Sequence, residues 1–273
     1  MHNCSYCYAR HLLDFRGNWH PYEPAVASLE TMRNVVSGLA PGCVVRLGGM
    51  TDCFQPIEHK HRITLETIKL LNDRGIHYLI TTKSATCVFP EYLDVYDEKL
   101  AHFQLSITST DDWRGNRYET ASPQSERMSA CETLSKMGFD VSVRLSPFIP
   151  EFVDTGVINA IDCGKILIEF LKVNPYVRRC FDLDYHDYTC AYGGHLNLEL
   201  ERKIELAERL TDFDQRSVGE YVKSHYLYFR DNYNSNPFDC CNLRGIEWSD
   251  FPDITQEEQD NQLAFDWDDF ECG

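Results

Sequence analysis

The chain alternates two textures, and that alternation restricts its fold more than any other feature. Short β-branched or apolar runs at 43–48, 76–82, 103–108, 139–146 and 179–185 read as buried strands. Around them, apolar residues recur with helical spacing over 25–39, 63–74, 90–100, 123–137, 160–173 and 198–210. Gly75 and Gly138 directly follow two of these segments, where a left-handed C-cap is expected. Repetition of this kind builds βαβ units, a parallel sheet and right-handed crossovers that put the helices outside. An open doubly wound sheet and a full or partial barrel both satisfy the pattern. In either, the chemistry belongs in the loops after the strands' C-terminal ends. After about residue 212 the alternation stops. The remainder is aromatic, polar and acidic, with Tyr221, Tyr226, Tyr228, Phe229 and Tyr233 clustered. The expected organisation is a core over 1–212 and a C-terminal extension over 213–273 ending in an acidic tail.

Charge narrows the function classes. The chain has 43 acidic and 26 basic residues, a formal net charge of −17. From Asp250 to Gly273 there are acidic residues and no Lys or Arg, yet the body without that tail is still acidic. Binding to a nucleic-acid backbone is driven by Lys and Arg neutralising phosphates, so a general nucleic-acid binder is disfavoured, while a local basic groove stays open. No apolar run reaches membrane-spanning length, and the N-terminus lacks the basic-then-apolar texture of an export signal. The expected location is the cytoplasm, where the 12 cysteines serve as thiols and metal ligands, not as a disulfide framework. Cys43, Cys87, Cys131, Cys163, Cys180 and Cys190 stand alone, as small buried apolar residues do.

The sharpest local feature is Cys4-Ser5-Tyr6-Cys7-Tyr8-Ala9-Arg10. A C-x-x-C pair suits a zinc knuckle, a redox pair or an iron–sulfur ligand set. Zinc asks for a second pair at similar spacing, which adjacent Cys240 and Cys241 supply poorly. A redox pair asks for a strand before it.

The segment resembles the second half of the C-x-x-x-C-x-aromatic-C signature of the radical S-adenosylmethionine (SAM) superfamily, and its -Cys-Tyr-Ala-Arg ending is similar to the spore photoproduct lyase-like branch. Four further segments resemble that branch in the same order, each at an expected strand end: Gly48-Gly49-Met50-Thr51-Asp52-Cys53-Phe54-Gln55-Pro56-Ile57-Glu58, Thr81-Thr82-Lys83-Ser84, Ser106-Ile107-Thr108 and Arg144-Leu145-Ser146-Pro147-Phe148-Ile149-Pro150. The resemblance spans residues 4–152. It departs from the pattern in two places. The first cysteine of the signature falls one position before Met1, and no strand leads into the cluster loop. The branch also places a cysteine hydrogen donor before a Thr-Ser-Asp stretch, where this chain has Met50 before Thr51 and Asp52, with Cys53 nearby.

The resemblance implies an α/β fold, a partial (β/α)6 TIM-like barrel lacking its first strand, with the C-terminal extension added. It implies a [4Fe-4S] cluster with Cys4 and Cys7 among its ligands, and SAM as second cofactor. Gly48 and Gly49 would let backbone approach the SAM amino group. Lys83, Ser84, Ser106 and Arg144 would hold the SAM carboxylate or ribose, and Tyr6 would shield the cluster or the adenine. The ordinary readings stand beside these: a tight turn for Gly48 and Gly49, a solvated charge for Lys83, an ion pair with Glu119 or Asp140 for Arg144. Asp52, Gln55 and Glu58 fit a substrate contact or a structural turn. The implied activity is reductive cleavage of SAM to a 5′-deoxyadenosyl radical acting on an unknown substrate, fed by a reductase, flavodoxin or ferredoxin. The alternatives are a DNA photoproduct lyase, which a basic groove at the mouth would favour, a cluster-less binding or scaffold protein, and a zinc module. Cys240, Cys241 and Cys272 are candidates for a second cluster.

Overall fold

The computed structural model describes residues 2–18, 20, 26–49, 51–237 and 241–244. Met50, Cys240, Cys272 and the acidic tail from Asp250 lie outside the described residues.

Six strands form one parallel sheet: β1 (Val44–Leu47), β2 (His77–Thr82), β3 (Ala101–Ile107), β4 (Asp140–Phe148), β5 (Lys165–Phe170) and, after the antiparallel hairpin β6 (Cys190–Tyr192) and β7 (His195–Asn197), β8 (Gln215–Val218). Their order is β1-β2-β3-β4-β5-β8, so each strand lies beside its predecessor in the sheet. Helix Leu29–Ser37 precedes β1, and helices Ile63–Asp73, Gln124–Lys136 and Leu200–Glu208 fall between the strands. This is an α/β partial TIM-like barrel, as expected. Gly75 and Gly138 have φ of 63° and 88°, the left-handed stops anticipated after two helices.

The pleat sorts the strands into two faces. Phe103, Leu105 and Ile107 of β3, Val141, Val143 and Leu145 of β4, and Ile166 and Ile168 of β5 are buried in the core with Ala130, Cys131 and Leu134 of the helix Gln124–Lys136. The opposite face carries His102, Gln104 and Ser106, then Asp140, Ser142 and Arg144, then Lys165 and Glu169. A sheet with one polar face turned inward builds a lumen for chemistry, not for packing.

At the floor of that lumen, where the strands begin, Asp140 is a hub. Its carboxylate accepts from His102 Nδ1 at 2.6 Å, pairs with Lys165 Nζ at 2.6 Å and accepts from the Arg244 amide at 2.7 Å. His77 Nδ1 lies 3.1 Å from His102 Nε2, and Lys165 also donates to the Asn242 carbonyl at 2.5 Å. Residues 241–244 thus strap the floor, with Gln104 donating to the Cys241 carbonyl.

Four expectations fail for local reasons. The helix expected over 160–173 is strand β5. Between β4 and β8 its alternate residues face either the core or the lumen, and Asp162 and Cys163 precede it in a turn. The strand expected over 179–185 is a helix, Pro175–Cys180, then coil. Asn174 caps its N-terminus and Pro175 takes the first turn, a start signal that outweighs the apolar residues beyond it. The helix expected over 90–100 ends at Leu93. Beyond residue 212, where no further strand was expected, β8 extends the sheet and the helix Lys223–Asn232 follows. The outer edge of β8 is met by side chains. Arg216 N donates to Ser235 Oγ at 2.9 Å and Val218 N to Asn234 Oδ1 at 2.8 Å, while Ser235 N donates to the Arg216 carbonyl.

Candidate active site

The two-cysteine loop is pinned at the C-terminal end of the sheet. His2 N donates to Gln55 Oε1 at 2.9 Å, and His2 Nδ1 lies 3.3 Å from Asp52. Asp52 in turn accepts from Thr82 Oγ1 and the Lys83 amide at the end of β2, and from the Phe54 amide. Burial alone would raise the Asp52 carboxyl, but the bonds from His2, Lys83 and Phe54 hold it below its ordinary range. Asp52 and Gln55 are therefore framework. So is Glu58, whose carboxylate accepts from the Thr64 and Leu65 amides and from Tyr92.

Cys4 is buried, 8% exposed, and Cys7 half-buried. Cys7 caps the helix Tyr8–Phe15, its sulfur accepting from the Arg10 amide. Burial first, then the Glu119 charge, pushes the Cys4 thiol up to about 12, with Lys83 pulling the other way. Tyr6 donates its hydroxyl to Glu119, packs its ring against Tyr118 and Phe181, and lies 5.7 Å from the Lys83 ammonium.

Gly48 ends β1 at a φ of 92°, and a Cβ there would stand 2.2 Å from the Thr81 carbonyl oxygen. Only glycine lets the backbone pass so close. A Cβ on Gly49 meets nothing within 4 Å. Both glycines line a cleft of about 290 Å³ between β1 and the helices Leu29–Ser37 and Ile63–Asp73, with Met32, Arg46, Ile63 and Thr67; Lys83, Ser106 and Arg144 do not line it.

Ser106 and Arg144 sit directly opposite each other on β3 and β4. Arg144 pairs with Glu169 on β5, not with Glu119 or Asp140. Its Nε is buried with no hydrogen-bond partner. Ser84 is buried, and its hydroxyl accepts from the Thr86 amide and bonds Thr86 Oγ1, capping the turn after β2.

Sequence reasoning missed Arg127 and its pairing with Glu119, whose side chains are almost fully buried and 2.5 Å apart. A signal was present. Arg127 shares one helix face with Ala130, Cys131 and Leu134, at spacings of three, four and seven, and a cation on an apolar face demands a buried carboxylate. Beyond the end of β5, Lys172 lies 4.5 Å over the Tyr221 ring, and desolvation lowers its pKa against the pull of Glu169 and Glu220.

This arrangement defines a class of fold: an α/β partial TIM-like barrel with polar groups gathered at the strands' C-terminal ends. No protein-family model and no curated protein matches the chain. Among solved structures, a spore photoproduct lyase complexed with dinucleoside spore photoproduct matches with a TM-score of 0.59 at 17% identity, over 80% of this chain and 73% of that one. A mutant of that lyase with bound AdoMet and dinucleoside spore photoproduct gives the same figures. A further lyase mutant matches with a TM-score of 0.55 at 19% identity, over 80% and 72%. The likeness is one of fold.

The residues present fit SAM. An unpartnered buried guanidinium nitrogen on Arg144 and open space beside Gly49 are what a bound amino acid moiety and its nucleoside would engage. A [4Fe-4S] cluster takes three thiolates in the pattern the sequence resembles. Among the described residues no third His, Cys, Asp or Glu groups with Cys4 and Cys7 to hold a metal. The described donor set is incomplete for that cluster.

Proposed function

We propose that this chain is the SAM-binding barrel of a radical SAM enzyme. The observation that carries the reading is the convergence of the Cys4–Cys7 loop, the Gly48–Gly49 turn and the half-satisfied Arg144 at one end of a parallel partial barrel. Arg144 and Lys83 would hold the SAM carboxylate by charge-assisted bonds, and the Gly49 backbone would lie along its amino group. Ser106 would reach the ribose. Ser84, tied to Thr86, would shape the turn. Tyr6 would close the site from above, keeping water from a reactive intermediate. The chemistry proposed is reductive cleavage of SAM at a [4Fe-4S] cluster, with the electron from a flavodoxin, ferredoxin or reductase and a third thiolate added to Cys4 and Cys7. The charged groups toward the strands' C-terminal ends mix Lys83, Arg144 and Lys172 with Asp52 and Glu169, and the buried Glu119–Arg127 pair adds no net charge. That is not a basic groove, and it disfavours a DNA strand as substrate.

The test is paired anaerobic reconstitution with iron and sulfide. This chain is compared with a version extended by a strand and a cysteine one position before Met1. Binding of about four irons and release of 5′-deoxyadenosine from SAM by the extended version alone supports the reading. Failure of both versions to load iron and to cleave SAM leaves a binding or scaffold protein.

A further inference from the structure

The floor of the lumen is closed by a segment with no helix or strand of its own. Residues 241–244 meet the first residues of β4 and β5. Gln104 Nε2 donates to the Cys241 carbonyl at 3.4 Å, and Lys165 Nζ donates to the Asn242 carbonyl at 2.5 Å. The Arg244 amide donates to Asp140 at 2.7 Å, and Arg244 Nη2 to the Gly138 carbonyl at 2.8 Å. Each of these bonds has a side chain at one end, so none of them belongs to a backbone ladder. On the lumen side, His102, Gln104, Asp140 and Ser142 are all buried.

Two features of Asn242 oppose this docking. Its φ is 54°, in the left-handed region that costs residues other than glycine. Its side chain is buried, yet neither atom of its amide group has a hydrogen-bond partner among the described residues. A buried unpaired polar group favours any state that returns it to water. Bonds that hold and costs that release therefore act on the same few residues, and a segment balanced in this way opens locally before the core does.

We propose that residues 241–244 are a releasable strap. Docked, they close the lumen at the strands' N-terminal ends; released, they open a second way in for water and small polar solutes, opposite the candidate active site. The floor carries its own reporter of that opening. Ionised Asp140 can only accept, so His102 Nδ1, at 2.6 Å, carries a proton. The Arg244 amide donates to the same carboxylate oxygen.

The test is hydrogen exchange on this chain, followed by NMR at the amide of residue 244, the His102 Nδ1 proton and the core amides of β4. With intrinsic rates removed, the first two should share one opening constant, about tenfold or more above that of the β4 core. Arg244→Ala deletes one bond from an exposed side chain and should raise the shared constant by about 2–10-fold. Asn242→Gly removes both the φ penalty and the unpaired amide and should lower it by about fivefold. A strap and floor that exchange only as fast as the β4 core are a fixed part of the barrel, and the proposal is then overturned. It is also overturned if Arg244→Ala frees the amide of residue 244 while the His102 proton stays protected, or if Asn242→Gly raises the opening constant.

Discussion

Replacing Asp140 with Asn tests the barrel floor. Burial by itself would raise the Asp140 carboxyl, but bonds from His102, Lys165 and the Arg244 amide hold it at about 2, from an ordinary 3.8. A drop of roughly two pKa units, at about 1.4 kcal/mol each, corresponds to roughly 2 kcal/mol of stability at neutral pH. Because the folded value is the lower one, this contribution is complete above the unfolded pKa and is lost as pH falls through the folded one. The window therefore lies between pH ~4 and ~2, and at pH ~3 about half remains. Asn keeps the shape but leaves Lys165 buried beside a neutral amide, and breaking a buried pair by removing one partner costs about 3–5 kcal/mol. Urea unfolding of parent and variant should show that gap at pH ~7, narrowing by about 1 kcal/mol at pH ~3. Amide exchange over 241–244 should rise in the variant, since Asp140 accepts from Arg244. A cost below about 1 kcal/mol, or a gap that stays constant between the two pH values, would refute the reasoning.

Gly48→Ala forces a side chain into the Thr81 carbonyl at positive φ and should destabilise by about 2–4 kcal/mol, while Gly49→Ala should change stability by less than about 0.5 kcal/mol; chemical denaturation of both reads the contrast. Lys203→Met leaves Glu220 buried without its 2.5 Å partner and should cost about 3–5 kcal/mol, largely recovered by adding Glu220→Gln, as measured by a double-mutant cycle. Arg144→Met should weaken SAM binding by about tenfold or more in calorimetry on this chain, with the fold kept; unchanged affinity would remove Arg144 from the site.

How far the sequence showed this in advance depends on where the information lies. β2, β3 and β4 are legible because their runs are bounded by turn residues and, at Gly75 and Gly138, by glycines whose positive φ stops a helix. β8 is Gln-Arg-Ser-Val at a sheet edge, with too little apolar character to stand out. β5 is short and apolar enough to pass for half a helix, a known ambiguity of brief runs. In the site, Cys4, Cys7, Gly48 and Arg144 are legible by residue type, but partners are not. Asp140 shares a strand and a face with Arg144 and sits four residues away, roughly 13 Å at the rise of a strand, so no pair forms. Glu169 stands two residues beyond Leu167, which is opposite Arg144 across β4 and β5, a diagonal neighbour within reach. Register decides this, and register is a tertiary fact.

The bonds that Asn234 and Ser235 make to Arg216 and Val218 give the sheet a direction of growth. A strand edge is a template that any extended chain can copy, and these two side chains occupy it with a counterfeit of the next strand. Recruitment of another strand, from this chain or from a second copy, is blocked along Arg216–Val218, and among the described residues the sheet's other edge is β1, beside the glycines of the candidate site.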